Sequence, residues 1–130
     1  MKKQGITNSK LSGYCARLGH TQLIAVADCG LPIPTDVPVI DVSVVQGLPR
    51  FEPVLAALLD ELVIQRHVVA READDHPAGE WIAQHSEQLG EQEVVSHEEL
   101  KALLPRCEFV VRTGEATPFA NVVLECGVPF

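Results

Sequence analysis

Short apolar runs without polar alternation recur along this chain, and helical patterns lie between them. The run at 23–27 reads Leu-Ile-Ala-Val-Ala, which is too short for a buried helix and is typical of a strand buried on both faces of a parallel sheet. Further short strands are predicted within residues 39–42, 63–70, 94–95, 109–111 and 122–124. Apolar residues at helical spacing predict helices near residues 9–18, 51–62, 77–89 and 97–104. This alternation predicts an α/β fold, a three-layer α/β/α sandwich with a mostly parallel sheet.

Several predicted helix ends carry residues that are typical of helix caps. Asn8 or Ser9 is expected to cap the first helix, and Gly19 is expected to end it in a left-handed conformation. Ser96 followed by Glu99 three residues later is a capping box. The last predicted helix therefore begins directly after a predicted strand.

Composition limits the size of the fold and the kinds of partner. With 130 residues, 46% of them hydrophobic, the chain is expected to form one domain, residues 1–130, without disulfide or metal support. The formal charge of −8 argues against nucleic acids and anionic membranes, because both attract clustered Lys and Arg. Nine of the 18 acidic residues lie in the acidic segment, residues 72–99, which has no Lys or Arg. We interpret this segment as a solvated face that aids solubility.

The cysteines and the N-terminus bear on the compartment. The four cysteines form no Cys-x-x-Cys pair, and their apolar neighbours indicate small buried side chains. Lys2 and Lys3 are not followed by the apolar stretch of a signal peptide, and no run is long enough to span a bilayer. We therefore expect a soluble cytoplasmic protein.

Polar residues follow several of the predicted strands. Asp28 follows the first strand, His97 follows the strand at 94–95, and the loop with Glu115 and Asn121 follows the strand at 109–111. Because ligands bind beyond the carboxyl ends of strands in open α/β sheets, these residues form a candidate site. His20 precedes a strand instead, so we expect it to lie elsewhere, in a neighbouring subunit's site.

Each of these residues also has an ordinary structural explanation. Asp28 is equally suited to forming a turn before Gly30, and His97 to a solvent-exposed helix start. His20 has the alternative role of a cation at a helix end, and Asn121 that of a turn residue. A metal site built from His20, Asp28 and His97 remains an alternative, although no spacing resembles a zinc signature.

Motifs spread over almost the whole chain resemble the RbsD/FucU family of sugar mutarotases. They are Asn8-Ser9, Arg-Leu-Gly-His-Thr at 17–21, Ala-Asp-Cys-Gly-Leu-Pro-Ile-Pro at 27–34, Gln-Gly-Leu-Pro at 46–49, Val-Arg-Thr-Gly-Glu at 111–115, Thr-Pro-Phe-Ala-Asn at 117–121, and Cys-Gly-Val-Pro-Phe at 126–130. Only the acidic segment is poorly matched. Several separate motifs in the same order make the resemblance specific.

The resemblance implies an isomerase that needs no cofactor or metal and interconverts β-D-ribopyranose and β-D-ribofuranose in the cytoplasm. It also implies a homo-oligomeric ring, typically a decamer, with each site near a subunit boundary. His20 corresponds to the family's catalytic histidine, a proton donor. Asp28 and His97 correspond to sugar-binding residues, and the tripeptide Phe119, Ala120 and Asn121 completes the sugar site. Glu115, in the same loop, is a further candidate.

The chain departs from the family pattern at Phe119, where the family has tyrosine. Loss of a hydroxyl that bonds the sugar would cost about 0.5–1.5 kcal/mol. Two alternatives therefore stay open: a mutarotase for another sugar of the fucose type, and a catalytically silent sugar-binding subunit. A third, independent of Phe119, is a metal-dependent lyase or hydrolase using His20, Asp28 and His97. Leu-Pro-Ile-Pro at 31–34 favours the ribose branch.

Overall fold

A computed structural model describes all 130 residues of the chain. The strands are β1 (Leu23–Ala27), β2 (Val39–Asp41), β3 (Ile64–Ala70), β4 (Glu91–Val95), β5 (Cys107–Arg112) and β6 (Val122–Cys126). The α-helices are α1 (Ser9–Cys15), α2 (Phe51–Leu59), α3 (Pro77–Ala83), α4 (Ser86–Leu89) and α5 (His97–Leu103). Two 3-10 helices cover Arg71–Asp75 and Leu104–Arg106. None of the helices is long and apolar enough to cross a membrane.

The strands form one sheet in the order β2-β5-β1-β6-β3-β4. β6 runs antiparallel to both of its neighbours, and every other pair of adjacent strands is parallel. All five residues of β1 are buried, as the continuous apolar run predicts for a central strand. Because β6 is reversed, it starts at the edge of the sheet where the other five strands end.

Two hydrophobic clusters cover the two faces of the sheet. The larger cluster joins one face to α1, α2, α3 and α4, with Phe51, Leu55 and Ile82 among its fully packed side chains. The smaller cluster joins the other face to α5, through Leu100, and to the loop after β1, through Leu31 and Val37. The predicted three-layer sandwich with a mostly parallel sheet is therefore confirmed, with four helices on one face and one on the other.

The predicted N-caps are present, but one predicted helix end is wrong. The Asn8 side chain accepts a hydrogen bond from the first turn of α1, and the Ser96 capping box is complete. Gly19 does not end α1, which stops at Cys15, and the left-handed residue nearby is Thr21 with a φ of 67°. Here a turn before β1, and not a helix C-cap, takes the left-handed conformation.

The predicted helix over 77–89 is divided into α3 and α4. His85 has a non-helical backbone between them, and its Nε2 lies 2.8 Å from the Glu52 carboxylate on α2. A tertiary contact thus interrupts a pattern that is helical in the sequence. Gly90, with a φ of 66°, ends α4 as predicted.

Candidate active site

A cavity of about 350 Å³ lies at the edge of the sheet where β1 and β5 end. Its volume is in the range of pockets that enclose small molecules. The wall combines polar groups with one aromatic ring and consists of Asp28, Cys29, Gly30, Leu31, Pro32, Gln46, His97, Glu115, Ala116, Thr117, Pro118 and Phe119. The strand-end rule therefore brings Asp28, His97 and the 113–121 loop together, as the sequence predicts.

Asp28, in the cavity wall, forms a reciprocal hydrogen-bonded pair with the buried Asn121. The Asp28 backbone N–H donates to Asn121 Oδ1, and Asn121 Nδ2 donates to Asp28 Oδ2, both at 2.9 Å. The Gly30 N–H donates to the other carboxylate oxygen, Oδ1, at 2.9 Å. Asn121 is only 1% exposed, so its amide fixes the direction of the Asp28 carboxylate. Both Asp28 oxygens keep lone pairs that can accept bonds from a ligand.

The loop after β5 is anchored by hydrogen bonds to backbone carbonyls of neighbouring segments. The N–H and Oγ1 of Thr113 both donate to the Ala27 carbonyl, at 2.9 and 2.8 Å. The Gly114 N–H donates to the Pro49 carbonyl at 2.9 Å. A Cβ at Gly114 would collide with the carbonyl group of Leu48, so only glycine allows this close approach.

Glu115 is buried, and the protein itself satisfies its carboxylate. The Phe51 N–H donates to Oε2 at 3.1 Å, and the Arg50 Nε–H donates to the same oxygen at 3.3 Å. The backbone and hydroxyl of Thr117 donate to Oε1, at 3.2 and 2.9 Å. Burial opposes ionisation, but the bonds from Phe51, Thr117 and Arg50 outweigh it and lower the pKa of Glu115. This carboxylate therefore ties the loop to the start of α2.

His97 and Phe119 form a second wall of the cavity. His97 is the first residue of α5, and its ring stands edge-on to the Phe119 ring with centroids 5.1 Å apart. No protein group lies within hydrogen-bonding distance of the buried His97 Nδ1. Buried polar atoms normally have a partner, so this nitrogen is free to bond a ligand. The Phe119 ring offers an apolar surface beside it.

His20 lies at the opposite end of the sheet. It comes before β1, whereas Asp28 comes after it, and five strand residues of roughly 3.3 Å each separate the two ends by about 16 Å. The exposed His20 has its Nε2 3.0 Å from Gln65 Oε1, and Gln65 Nε2 donates to Glu125 at 2.6 Å. Hydrogen bonds from Gln65 and Arg66 lower the pKa of Glu125. His20, Asp28 and His97 therefore do not meet within one chain, so a metal site made of these three is not formed in the monomer.

Ala120 is fully buried in the larger hydrophobic cluster, and its side chain is absent from the cavity wall. Asn121 is also absent from the wall and acts through Asp28. The tripeptide Phe119, Ala120 and Asn121 thus contributes an aromatic wall, a packed methyl group and an orienting amide.

Two residues that none of the sequence motifs includes contact this site, and both belong to the acidic segment. Glu72 accepts a hydrogen bond from the His97 N–H at 2.8 Å. The His76 ring packs against the Phe119 ring with centroids 4.9 Å apart. Both follow β3, so the rule that selected Asp28 would have selected this turn as well.

These observations define an α/β sandwich with a small polar pocket at its strand ends, walled by an aspartate, a histidine and an aromatic ring. The chain belongs to the RbsD / FucU transport protein family, whose pattern matches residues 1–129. It is 53% identical to the D-ribose pyranase of Cutibacterium acnes over 130 residues, which cover 100% of both chains.

Solved structures agree with this assignment. The chain matches Bacillus subtilis RbsD complexed with D-ribose with a TM-score of 0.94 and 41% identity, over 100% of both chains. It also matches the fucose mutarotase of Streptococcus pneumoniae in complex with L-fucose, with a TM-score of 0.79 and 19% identity over 99% of this chain and 100% of that one. At that identity, the second match supports the fold alone.

Proposed function

We propose that this chain catalyses the D-ribose pyranase reaction, the interconversion of β-D-ribopyranose and β-D-ribofuranose. Full-length identity of 53% to a D-ribose pyranase and a TM-score of 0.94 to an RbsD that binds D-ribose support this reaction. The observation that carries it is that an oriented Asp28 carboxylate and His97, whose Nδ1 has no partner in the protein, line the same small cavity. These groups can accept and donate hydrogen bonds to sugar hydroxyls.

The reaction requires only proton transfers. The ring C1–O5 bond breaks as O5 gains a proton and the anomeric hydroxyl loses one, which gives the open-chain aldehyde. The C4 hydroxyl then attacks C1, loses its proton, and the aldehyde oxygen is protonated. An imidazole titrates near neutrality and can serve in both directions, and such acid–base catalysis is worth about 10²–10⁴ in rate. No cofactor is required by this chemistry.

We assign the proton transfers to His20, which the family resemblance identifies as the proton donor. Because His20 lies at the other end of the sheet from Asp28, the proposal requires His20 of the partner subunit to reach the cavity. A ring-shaped homo-oligomer, such as the decamer that the resemblance implies, would bring unlike ends of adjacent subunits together. We further propose a cytoplasmic location, in keeping with four free cysteines.

Saturation-transfer NMR on D-ribose tests the reaction directly. The parent protein is expected to increase exchange between pyranose and furanose signals, and His20→Ala is expected to abolish the increase. Light scattering on both proteins separates loss of catalysis from loss of assembly. Unchanged exchange in His20→Ala would show that the assigned role is wrong, and no exchange with the parent would reject the reaction itself.

Co-expression of His20→Ala with Asp28→Ala tests the shared site. Each variant alone is expected to be inactive. In a random mixture, about one site in four combines an intact cavity with an intact His20 from its neighbour, so roughly a quarter of parent activity returns. If each chain contained its own complete site, the mixture would stay inactive.

A catalytically silent sugar-binding subunit is the second candidate, because Phe119 lacks the hydroxyl of the family's tyrosine. Titration that detects D-ribose binding without faster exchange would favour it. Phe119→Tyr then tests the cause, since restored exchange would assign the silence to the missing hydroxyl. Exchange measured on fucose, allose and galactose tests a changed sugar preference.

A further inference from the structure

The turn that follows β3, residues 71–76, touches both walls of the cavity. Glu72 near its start holds the His97 backbone, and His76 at its end packs on Phe119. The turn itself is secured by Ala73, which is 1% exposed. One short segment is thus positioned to set the orientation of two side chains that line the cavity.

Phe119 depends on this contact more than an ordinary aromatic residue would. Its backbone φ of 63° is in the left-handed region, which aromatic residues rarely adopt. Its ring contacts two imidazoles, with centroids 4.9 Å from His76 and 5.1 Å from His97. Without a hydroxyl, the ring has no hydrogen bond to fix its direction, so packing must do so.

His97 is held by its backbone at the start of α5. The Ser96 capping box satisfies the N–H of Glu99, and Glu72 satisfies the N–H of His97 itself at 2.8 Å. Helix N-termini leave such N–H groups without intrahelical partners. The Glu72 carboxylate therefore joins the β3 end of the sheet to the helix that carries the cavity imidazole.

We propose that His76 and Glu72 are positioning residues of the sugar site, His76 for the Phe119 ring and Glu72 for His97. This inference rests on the proposed function for its kinetic readout. It gives part of the acidic segment a role in substrate recognition.

The kinetic test compares KM and kcat for D-ribose exchange across matched variants. His76→Ala is expected to raise KM about 2- to 12-fold, the range for one aromatic pair, with kcat changed by less than about twofold. His76→Phe keeps a ring and is expected to restore the parent KM. Glu72→Ala is expected to raise KM as well, whereas Glu72→Gln keeps an acceptor oxygen and is expected to have a KM near that of the parent. Asp75→Ala, at an exposed neighbour in the same turn, is the control.

A second readout does not depend on activity. The chain has four phenylalanines, so 19F NMR of protein labelled with 4-fluorophenylalanine gives few signals, and Phe119→Leu identifies the one of interest. His76→Ala is expected to shift and broaden that signal, and Asp75→Ala to leave it unchanged. The His76 side chain makes no capping bond to α3, so the alanine variant is expected to fold.

The outcomes separate the two proposals. If the parent is active and His76→Ala has the same KM as the parent, the positioning role is overturned. An unchanged 19F signal of Phe119 in His76→Ala overturns it as well. A parent protein without exchange rejects the proposed reaction, while the fluorine signal still decides whether His76 orients Phe119.

Discussion

Replacing the Glu115 carboxylate is expected to destabilise the fold even though the residue lies beside the cavity. The side chain is 3% exposed, and both of its oxygens accept bonds from the protein. In Glu115→Gln, one oxygen becomes an NH2 group, which faces donors and leaves at least one buried N–H of Phe51 or Thr117 unpaired. A buried unpaired donor costs about 1–3 kcal/mol, so we expect a loss of about 2 kcal/mol in the free energy of unfolding. Glu115→Ala leaves donors on both sides unpaired, and we expect a loss of about 3–5 kcal/mol.

Urea denaturation at one fixed protein concentration measures these losses, because the midpoint should fall at an unchanged slope. Arg50 is 57% exposed, so water replaces its lost partner and the ion pair adds little to the total. Glu108→Gln, on an exposed position of β5, is the matched control and is expected to stay within about 0.5 kcal/mol of the parent. Equal urea midpoints for Glu115→Gln and Glu108→Gln would refute the inference that hydrogen bonds to the Glu115 carboxylate stabilise the fold.

Three further predictions follow from the same contacts. Folding lowers the pKa of Glu115 from 4.5. The ionised carboxylate therefore stabilises the fold fully above the unfolded-state pKa, and this stabilisation is lost as the pH falls through the folded-state pKa. The difference in unfolding free energy between the parent and Glu115→Gln should accordingly become smaller below about pH 4. Gly114→Ala is expected to lower the melting temperature and activity by forcing the loop away from Leu48, whereas Gly13→Ala, with open space around it in α1, should raise stability by roughly 0.5–1 kcal/mol; equal melting temperatures would contradict this. Cys29 is half-buried in the cavity wall, while burial raises the pKa of Cys107 to about 12, so a thiol reagent should modify Cys29 first, and saturating D-ribose should slow that reaction. Modification that is indifferent to D-ribose would argue against this cavity as the sugar site.

Most of the fold can be predicted from local sequence patterns, because buried strands and capped helices are recognisable from a few consecutive residues. The direction of β6 cannot be read from such a local pattern. β6 comes after a loop at 113–121 that contains no helix, and a parallel connection normally requires a longer crossover. The length of this loop was therefore the signal that β6 is reversed. The break at His85 depends on Glu52, more than 30 positions away, and no local pattern contains it.

The candidate site could be predicted in part for the same reason. Residues at strand ends converge wherever the sheet is mostly parallel, which places Asp28 and His97 at one edge. Side-chain direction is not available from such a rule. From its position in the loop, Glu115 is a candidate sugar ligand, whereas in the structure its carboxylate oxygens accept hydrogen bonds from Phe51 and Thr117.

The reciprocal bond between Asp28 and Asn121 has a consequence for the chemical ageing of the protein. Deamidation of Asn121 would place a second carboxylate oxygen where Nδ2 now lies, 2.9 Å from Asp28 Oδ2. Two carboxylates at that distance cannot both stay ionised, so one would take up a proton and the charge pattern of the cavity would change. Deamidation requires the Val122 backbone nitrogen to attack the Asn121 side chain. Burial of Asn121 and the ordered start of β6 oppose that rearrangement. The packing that lets Asn121 orient Asp28 therefore also protects Asn121 from deamidation.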